Sequence, residues 1–240
     1  MIKNKEFIMS NKRRRAMRLP ALVLTLFLGC ASLLSPSIAL EKFQGKHTSQ
    51  GNSRIGLGVF GGYGLFANSQ IQSGAAGGAT FLIGFSKNIA VELAAMYQKG
   101  NVAADPNSLS KGKLTTMPLQ LSLMGRFPIG KKLTPYVLAG GSYFLNSFTL
   151  DSSAANDWKA LGFTLTEKVD STFGFHFGGG LELALGKALS VDIGLRYGLA
   201  KAKGNWTMTD DKSQSETSGA TGDLKLDTLT FAVGLKYFFK

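Results

Sequence analysis

D-T-L-T-F-A-V-G-L-K-Y-F-F-K, from Asp227 to Lys240, closes the chain and alternates between apolar residues and polar or small ones. A period of two over such a length indicates a β-strand with one apolar face and one polar face. Soluble proteins seldom end on a long apolar strand, whereas a transmembrane barrel needs one, because its last strand pairs with its first. The stretch therefore predicts the closing strand of a transmembrane barrel, with the other strands supplied from upstream.

Seven upstream segments show comparable strand patterns, and several reach the roughly 9–11 residues that a tilted strand needs to cross a bilayer. The clearest places Phe173, Phe175 and Phe177 on one parity and His176 among glycines on the other. The fifth segment, Pro135–Leu145, is apolar on both parities, so its sequence does not show which face points outward. Together they predict an all-β fold, an eight-stranded antiparallel up-and-down transmembrane β-barrel over residues 54–240. The segments are Arg54–Leu65, Thr80–Ser86, Ile89–Gln98, Thr116–Phe127, Pro135–Leu145, Thr172–Leu185 and Leu189–Leu199.

The connections between these segments alternate in length. Short ones fall at residues 87–88, 128–134 and 186–188, and long polar ones at 66–79, 99–115, 146–171 and 200–226. Short turns at one rim and long loops at the other are typical of bacterial outer-membrane barrels with both termini in the periplasm. A soluble lipocalin-type barrel has no reason to keep this alternation. We therefore expect the barrel to lie in the cell outer membrane.

The charged residues of the strands fall on the parity opposite to the bulky apolar one. Eight strands enclose a space that side chains only just fill, so bulky residues from every strand cannot all point inward. A charge facing lipid at mid-bilayer costs about 2–4 kcal/mol. The sequence thus predicts an inward charge network, which closes the lumen as a polar plug or forms a narrow path for solutes. The register between the sixth and seventh predicted strands stays open. One register sets Glu182 opposite Asp192, and another sets His176 opposite Arg196. The network comprises Glu92, Arg126, His176, Glu182, Asp192, Arg196 and Lys236.

Aromatic and basic residues flank the apolar faces. An aromatic girdle is expected from Tyr63, Tyr97 and Tyr197 at the outer rim and from Tyr237 and Phe239 at the inner one.

Both tryptophans lie in long connections, and anchoring at the membrane interface is favoured over contact with a partner. Within residues 146–171, the stretch 152–158 also suits a short helix resting on the rim. Lysines near the outer rim suit loose pairing with lipopolysaccharide phosphates. They are Lys99, Lys111, Lys113, Lys201, Lys203 and Lys225, and the tryptophans are Trp158 and Trp206.

The N-terminal residues 1–39 have the features of a cleaved signal peptide. A basic region precedes the apolar run from Leu19 to Leu34, and Ser37-Ile38-Ala39 supplies the small residues that a signal peptidase requires. Processing as a lipoprotein at Cys30 is the alternative. Residues 40–53 would then form a periplasmic N-terminal segment. The predicted signal peptide, residues 1–39, holds half of the net charge of +12. The remaining basic residues are spread along the chain, which argues against a nucleic-acid partner.

Catalytic and cofactor sites find little support in the sequence. Gly56-x-Gly58-x-x-Gly61 matches a dinucleotide-binding string, but it lies in a strand pattern with no helix after it. His47 and His176 are not placed to attack a lipid substrate, and no His or Cys cluster has the spacing of metal ligands. We therefore expect no enzyme activity and no cofactor.

Two short motifs resemble a known family. Thr134-Pro135-Tyr136-Val137-Leu138-Ala139-Gly140-Gly141-Ser142-Tyr143 resembles the P-Y-V-x-A-G-x-x-Y strand of OmpW-like and related small outer-membrane β-barrel proteins. Gly234, Tyr237 and Phe239 resemble the C-terminal signal that the barrel-assembly machinery recognises, although Lys240 follows the terminal aromatic residue and Ala232 holds the first polar position. The resemblance implies an eight-stranded barrel whose relatives are porin-like, adhesive or structural, some of them passing small hydrophobic molecules.

These observations lead to two functional interpretations. The first is a porin-like or structural outer-membrane protein with narrow or lateral passage of small hydrophobic or ionic solutes. The second is a non-transporting adhesin or recognition barrel that acts through its long extracellular loops. The lumen separates the two, because charges paired across it leave no path, whereas an open apolar cavity favours transport.

Overall fold

Ten strands and one helix form in the part of the chain that the computed structural model describes, residues 54–103 and 109–239. The predicted signal peptide, Cys30, the segment 40–53 and Lys240 lie outside these residues. No helix within them has the length and apolar character needed to cross a membrane. The elements are β1 (Arg54–Phe66), β2 (Gly74–Gly84), β3 (Ile89–Val102), β4 (Gly112–Arg126), β5 (Leu133–Leu150), α1 (Ser152–Ala160), β6 (Phe163–Val169), β7 (Thr172–Ala184), β8 (Leu189–Asp210), β9 (Glu216–Lys225) and β10 (Thr228–Phe238).

Eight of the strands close into an antiparallel ring. Strand β10 pairs with β1 on one side and with β8 on the other, so the C-terminal stretch closes the barrel as predicted. Around the ring the order is β1, β2, β3, β4, β5, β7, β8 and β10, and consecutive strands are neighbours. Closure satisfies the backbone groups that an open sheet edge would present to lipid.

The bulky apolar parity of the strands points outward. Phe173, Phe175 and Phe177 of β7 are 81%, 73% and 52% exposed, whereas His176 between them is buried. These exposures confirm the predicted facing. Rings exposed to this extent in water would lose a large hydrophobic free energy. The large outward surface is the one that suits lipid.

Strands β6 and β9 correct the prediction that residues 146–171 and 200–226 are loops. Both pair with the upper half of β8, which continues to Asp210 far beyond the predicted end at Leu199. The sequence of β9, E-T-S-G-A-T-G-D-L-K, has almost no apolar alternation, and Glu167 occupies the inward parity of β6. Strand β2 likewise begins at Gly74 rather than Thr80, because its first residues are Gly and Ala, which give no strand signal.

A one-residue slip separates β6 from β7. Val169 pairs with Gly204 of β8 while Gly174 pairs with Ala200, so the two strands differ by one residue in register along β8. A slip of one residue reverses facing, which is why Val169 is buried on an odd parity and His176 on an even one. Strand β5 pairs with β7 as far as Phe144, and its remaining residues form no ladder with β6.

Hydrogen bonds hold the slip in place. Asn146 Nδ2 donates to the Asp170 carbonyl at 2.8 Å, and Asn205 Nδ2 donates to Asp170 Oδ2 at 3.0 Å. We name the β6–β8–β9 sheet the extension, since it prolongs one side of the barrel beyond the ring.

Helix α1 contains residues 152–158, which were expected to be helical. Asp151 caps its N-terminus by accepting from the backbone N–H of Ser153 at 3.0 Å. Hydrogen bonds from the Ser153 hydroxyl and backbone N–H lower the pKa of the Asp151 carboxyl. Trp158 in this helix is half-buried.

Candidate functional site: charges paired across the lumen

An ion pair spans the barrel between opposite walls. Arg196 Nη2 on β8 donates to Glu92 Oε1 on β3 at 2.6 Å, and β3 and β8 lie four strands apart in the ring of eight. Arg196 Nη1 also donates to Gln120 Oε1 on β4 at 2.9 Å. Glu92 is fully buried, so its carboxylate depends on this partner for charge compensation.

A second cation reaches the same carboxylate. Lys236 Nζ on β10 donates to Asp192 Oδ1 at 3.0 Å and lies 3.7 Å from Glu92 Oε2. Tyr136 on β5 donates its hydroxyl to Asp192 Oδ2 at 3.1 Å, and the Lys236 ammonium stands 5.0 Å from the centre of the Tyr136 ring. The central cluster of Glu92, Asp192, Arg196 and Lys236 therefore has zero formal net charge.

Glu182 stands opposite Asp192 on neighbouring strands, which settles the register that the sequence left open. The two carboxylates are compensated separately. Arg126 Nη2 on β4 donates to Glu182 Oε1 at 2.9 Å, close to the short-turn end of the barrel. Glu182 Oε2 and Arg126 Nε have no hydrogen-bond partner among the described residues, and in the central cluster Glu92 Oε2 has none either, although Lys236 Nζ lies 3.7 Å from it.

His176 sits between two serines rather than beside Arg196. Ser122 Oγ lies 2.7 Å from His176 Nε2, and Ser142 Oγ lies 2.7 Å from Nδ1. Across the hairpin, His176 pairs with Gly198. A histidine that is hydrogen-bonded at both ring nitrogens ties β7 to β4 and β5.

An apolar cluster closes the end of the barrel that holds the long connections. Its buried members come from five of the eight ring strands, from β6 and β9 and from three connections, and we name it the cap. Leu109, in the connection between β3 and β4, belongs to it because Glu167 on β6 holds the neighbouring Ser110. The Glu167 carboxylate accepts from Ser110 N at 3.0 and 3.2 Å and from Ser110 Oγ at 2.9 Å. The cap contains Phe66, Ile71, Val102, Leu109, Leu114, Phe144, Val169, Ala200, Ala202, Leu224 and Leu226.

All seven predicted network residues face the lumen, but the sequence missed several of their partners. Gln120 and Ser122 lie on the polar parity of β4 and were readable as inward. Tyr136 and Ser142 lie on β5, whose two parities are both apolar or small, so nothing in its pattern marked them. Glu167 was hidden in a supposed loop. Within the two described ranges, no group of three or more His, Cys, Asp or Glu side chains is arranged to hold a metal ion.

The predicted girdle residues lie on the outer face. Tyr63, Tyr97 and Tyr237 are exposed, Tyr237 packs edge-on against Phe239 with 5.2 Å between ring centres, and Tyr197 rests against Phe177 at 5.5 Å. Their depth in a membrane and the assembly role of Gly234, Tyr237 and Phe239 stay predictions.

Trp206 lies in β8 rather than in a loop, and its ring packs over Gly219 of β9. Its anchoring at the membrane interface stays a prediction.

Comparison with known proteins agrees with this geometry. The outer membrane protein OprG from Pseudomonas aeruginosa superposes with a TM-score of 0.57 at 19% identity, covering 79% of this chain and 98% of that chain. The outer membrane protein AlkL superposes with a TM-score of 0.51 at 17% identity, covering 82% and 95%. Both likenesses concern the fold. No curated protein matches the sequence significantly.

The sequence profile of the outer membrane protein beta-barrel domain matches residues 24–239. That range includes every strand of the ring. The chain therefore belongs to this family and is an outer-membrane β-barrel protein.

Proposed function

We propose that this protein is a closed, non-conducting outer-membrane barrel with a structural and surface-recognition role. The Glu92–Arg196 pair carries the proposal, because it joins opposite walls at 2.6 Å and leaves both charges compensated. A charged path for solutes needs charges that are free to exchange partners with the solute, whereas these are paired with one another. The cap adds an apolar seal on the side of the long connections.

The extension supplies the surface for recognition. Strand β8 has 22 residues, about twice the length that crosses a bilayer. Its distal half is therefore expected to stand outside the membrane, flanked by β6 and β9. A rigid sheet presents side chains to a partner at a smaller entropic cost than a free loop does. The proposal assigns no catalysis, since His176 and its two serines are sealed inside the barrel.

Conductance in planar bilayers tests whether the barrel is closed. The wild-type protein should give no single-channel steps, and Glu92→Ala with Arg196→Ala should introduce them once Phe144→Ala also opens the cap, since either barrier alone keeps the barrel closed. Lys201→Ala, which removes one exposed charge from the extension, serves as the control and should stay silent. Wild-type steps whose size changes in Arg196→Ala would show that the network lines a path instead.

A second candidate function, lateral passage of small apolar molecules, is favoured by one observation. The wall has no ladder between the distal part of β5, residues 145–150, and β6, and the interior at this level is the apolar cap. A molecule entering the cap region would meet a seam in the wall rather than a continuous sheet.

A disulfide across the seam tests this candidate. Asn146→Cys with Asp170→Cys joins two positions already linked by a hydrogen bond of 2.8 Å. Under lateral passage, oxidation should slow the entry of an apolar fluorescent probe into vesicles, and reduction should restore it. Equal rates in the two redox states, with the wild type unaffected by either treatment, would exclude the seam as a route.

We further propose the orientation and maturation that the sequence indicated. Cleavage after Ala39 would leave residues 40–53 and the C-terminus on the periplasmic side with the short turns. The exposed lysines of the extension and of β3 and β4 would then face lipopolysaccharide phosphates, and Gly234, Tyr237 and Phe239 would serve the barrel-assembly machinery. The pattern of short and long connections supports this orientation.

A further inference from the structure

The three short turns of the ring share one sequence pattern and one closing hydrogen bond. They read Phe85-Ser-Lys-Asn-Ile89, Ile129-Gly-Lys-Lys-Leu133 and Leu185-Gly-Lys-Ala-Leu189, with an apolar residue at each end and lysine at the centre. In each turn the first residue donates its backbone N–H to the carbonyl of the fifth, at 3.0, 2.7 and 2.9 Å. Lys87, Lys131 and Lys187 therefore occupy equivalent positions.

Five of the six apolar residues at the turn ends are exposed and Leu133 is half-buried, while the three lysines between them are all exposed. Phe85, Ile89, Ile129, Leu185 and Leu189 are each 40–60% exposed. Exposed apolar side chains of this kind suit contact with lipid, and a lysine between them is long enough to place its ammonium group at the headgroups. The shared turn pattern therefore gives the three charges the same position relative to the apolar surface.

The cations are spaced around the whole rim. The turns join β2 to β3, β4 to β5 and β7 to β8, and the fourth position, between β10 and β1, holds the exposed Arg54. Lys132 adds a further charge beside Lys131. We name Arg54, Lys87, Lys131, Lys132 and Lys187 the basic rim.

No carboxylate among the described residues neutralises the basic rim. Three of them lie in the lumen, and the other nine belong to the long connections or to the extension, at the opposite end. That opposite end has mixed charge, as in the cross-strand pair of Lys203 and Asp223. The described carboxylates at the opposite end are Asp151, Asp157, Glu167, Asp170, Asp210, Asp211, Glu216, Asp223 and Asp227.

We propose that the basic rim binds the phosphate groups of anionic phospholipids in the leaflet that it adjoins. Like charges held around one rim attract counter-anions, and the apolar residues at the turn ends set the lysines at the depth of lipid phosphates. Phosphate suits lysine, whose ammonium group acts as a compact point charge. Each lysine near an anionic headgroup layer should favour an anionic lipid over a zwitterionic one by about fivefold.

Quenching of one tryptophan at the rim measures this preference. The reporter is Ile129→Trp in a Trp158→Phe, Trp206→Phe background, reconstituted in phosphatidylcholine vesicles with a minor fraction of brominated lipid. Brominated phosphatidylglycerol should quench the reporter more strongly than brominated phosphatidylcholine at the same fraction, with an apparent affinity at least about fivefold higher. Equal quenching by the two lipids would overturn the proposal.

Matched variants identify the residues responsible. Lys87→Gln, Lys131→Gln and Lys187→Gln together should lower the preference at least about fivefold, with Arg54 and Lys132 accounting for what remains, and the three corresponding changes to Arg should preserve it. The control changes Lys111, Lys113 and Lys201 to Gln, which removes the same charge from the opposite end and should leave the preference intact. If the control loses it equally, net charge rather than the rim is responsible. Heat-dependent migration on gels confirms that each variant is folded before it is measured.

Discussion

A methyl group added at Gly140 would collide with the backbone of Leu121 and Ser122 on β4, whereas at Gly141 it would meet nothing within 4 Å. The two adjacent glycines therefore form a matched pair, one facing the crowded interior and one facing outward. Gly140→Ala should lower the free energy of unfolding by about 1–3 kcal/mol. Gly141→Ala should raise it by about 0.5–1 kcal/mol, because alanine loses less backbone entropy. Denaturant unfolding in vesicles measures both, and equal effects would contradict the assigned facing.

The Glu92–Arg196 pair is expected to behave as a coupled unit. Arg196→Ala should cost about 3 kcal/mol of folded-state stability, because it leaves Glu92 buried with only the more distant Lys236. In the double variant with Glu92→Ala, the loss should be smaller than the summed single losses by about 1–3 kcal/mol. A double-mutant cycle from unfolding curves gives this difference, with Lys187→Ala as an exposed control expected to change little. Additive losses would mean that the two charges do not depend on each other.

At the scale of elements, the Glu167 side chain on β6 binds Ser110 in the connection between β3 and β4. Glu167→Ala removes all three hydrogen bonds to Ser110, which should release residues 109–111 from the cap. Loss of hydrogen bonds to a charged group is worth about 1.5–3 kcal/mol, so trypsin cleavage after Lys111 should accelerate at least about tenfold. Glu216→Ala on the exposed face of β9 is the control. Unchanged cleavage would show that Leu109 and its neighbours hold the connection without the carboxylate.

The sequence predicted strands well wherever lipid and lumen impose opposite demands on alternate residues. It failed for β6 and β9, and the proposed position of the extension outside the bilayer gives the reason, since a strand there has no lipid-facing side and hence no strict alternation. The extent of β8 was missed for the same reason. Only pairing with β8 made these polar segments strands, since their partners supply the backbone hydrogen bonds.

At the scale of the whole molecule, the orientation in the membrane can be tested by cysteine labelling. Ser153→Cys on α1 and Lys187→Cys on the turn between β7 and β8 lie at opposite ends of the barrel. A membrane-impermeant maleimide applied to intact cells should label Ser153→Cys only, and Lys187→Cys should react after the outer membrane is permeabilised. The reverse pattern would place the extension in the periplasm, and the parent chain serves as the control for labelling at Cys30.

The amino-acid sequence by itself determined which face points outward for seven of the eight ring strands, because a period of two repeats locally, and it left only β5 undecided. It also determined that seven ionisable side chains share the interior. Only the tertiary structure decided which of them pair, since Glu92 and Arg196 lie 104 residues apart and meet through the closure and register of the ring. The same closure brings together the residues of the cap, which come from seven strands and three connections. Partners across a lumen depend on all the strands between them, and no local pattern carries that information.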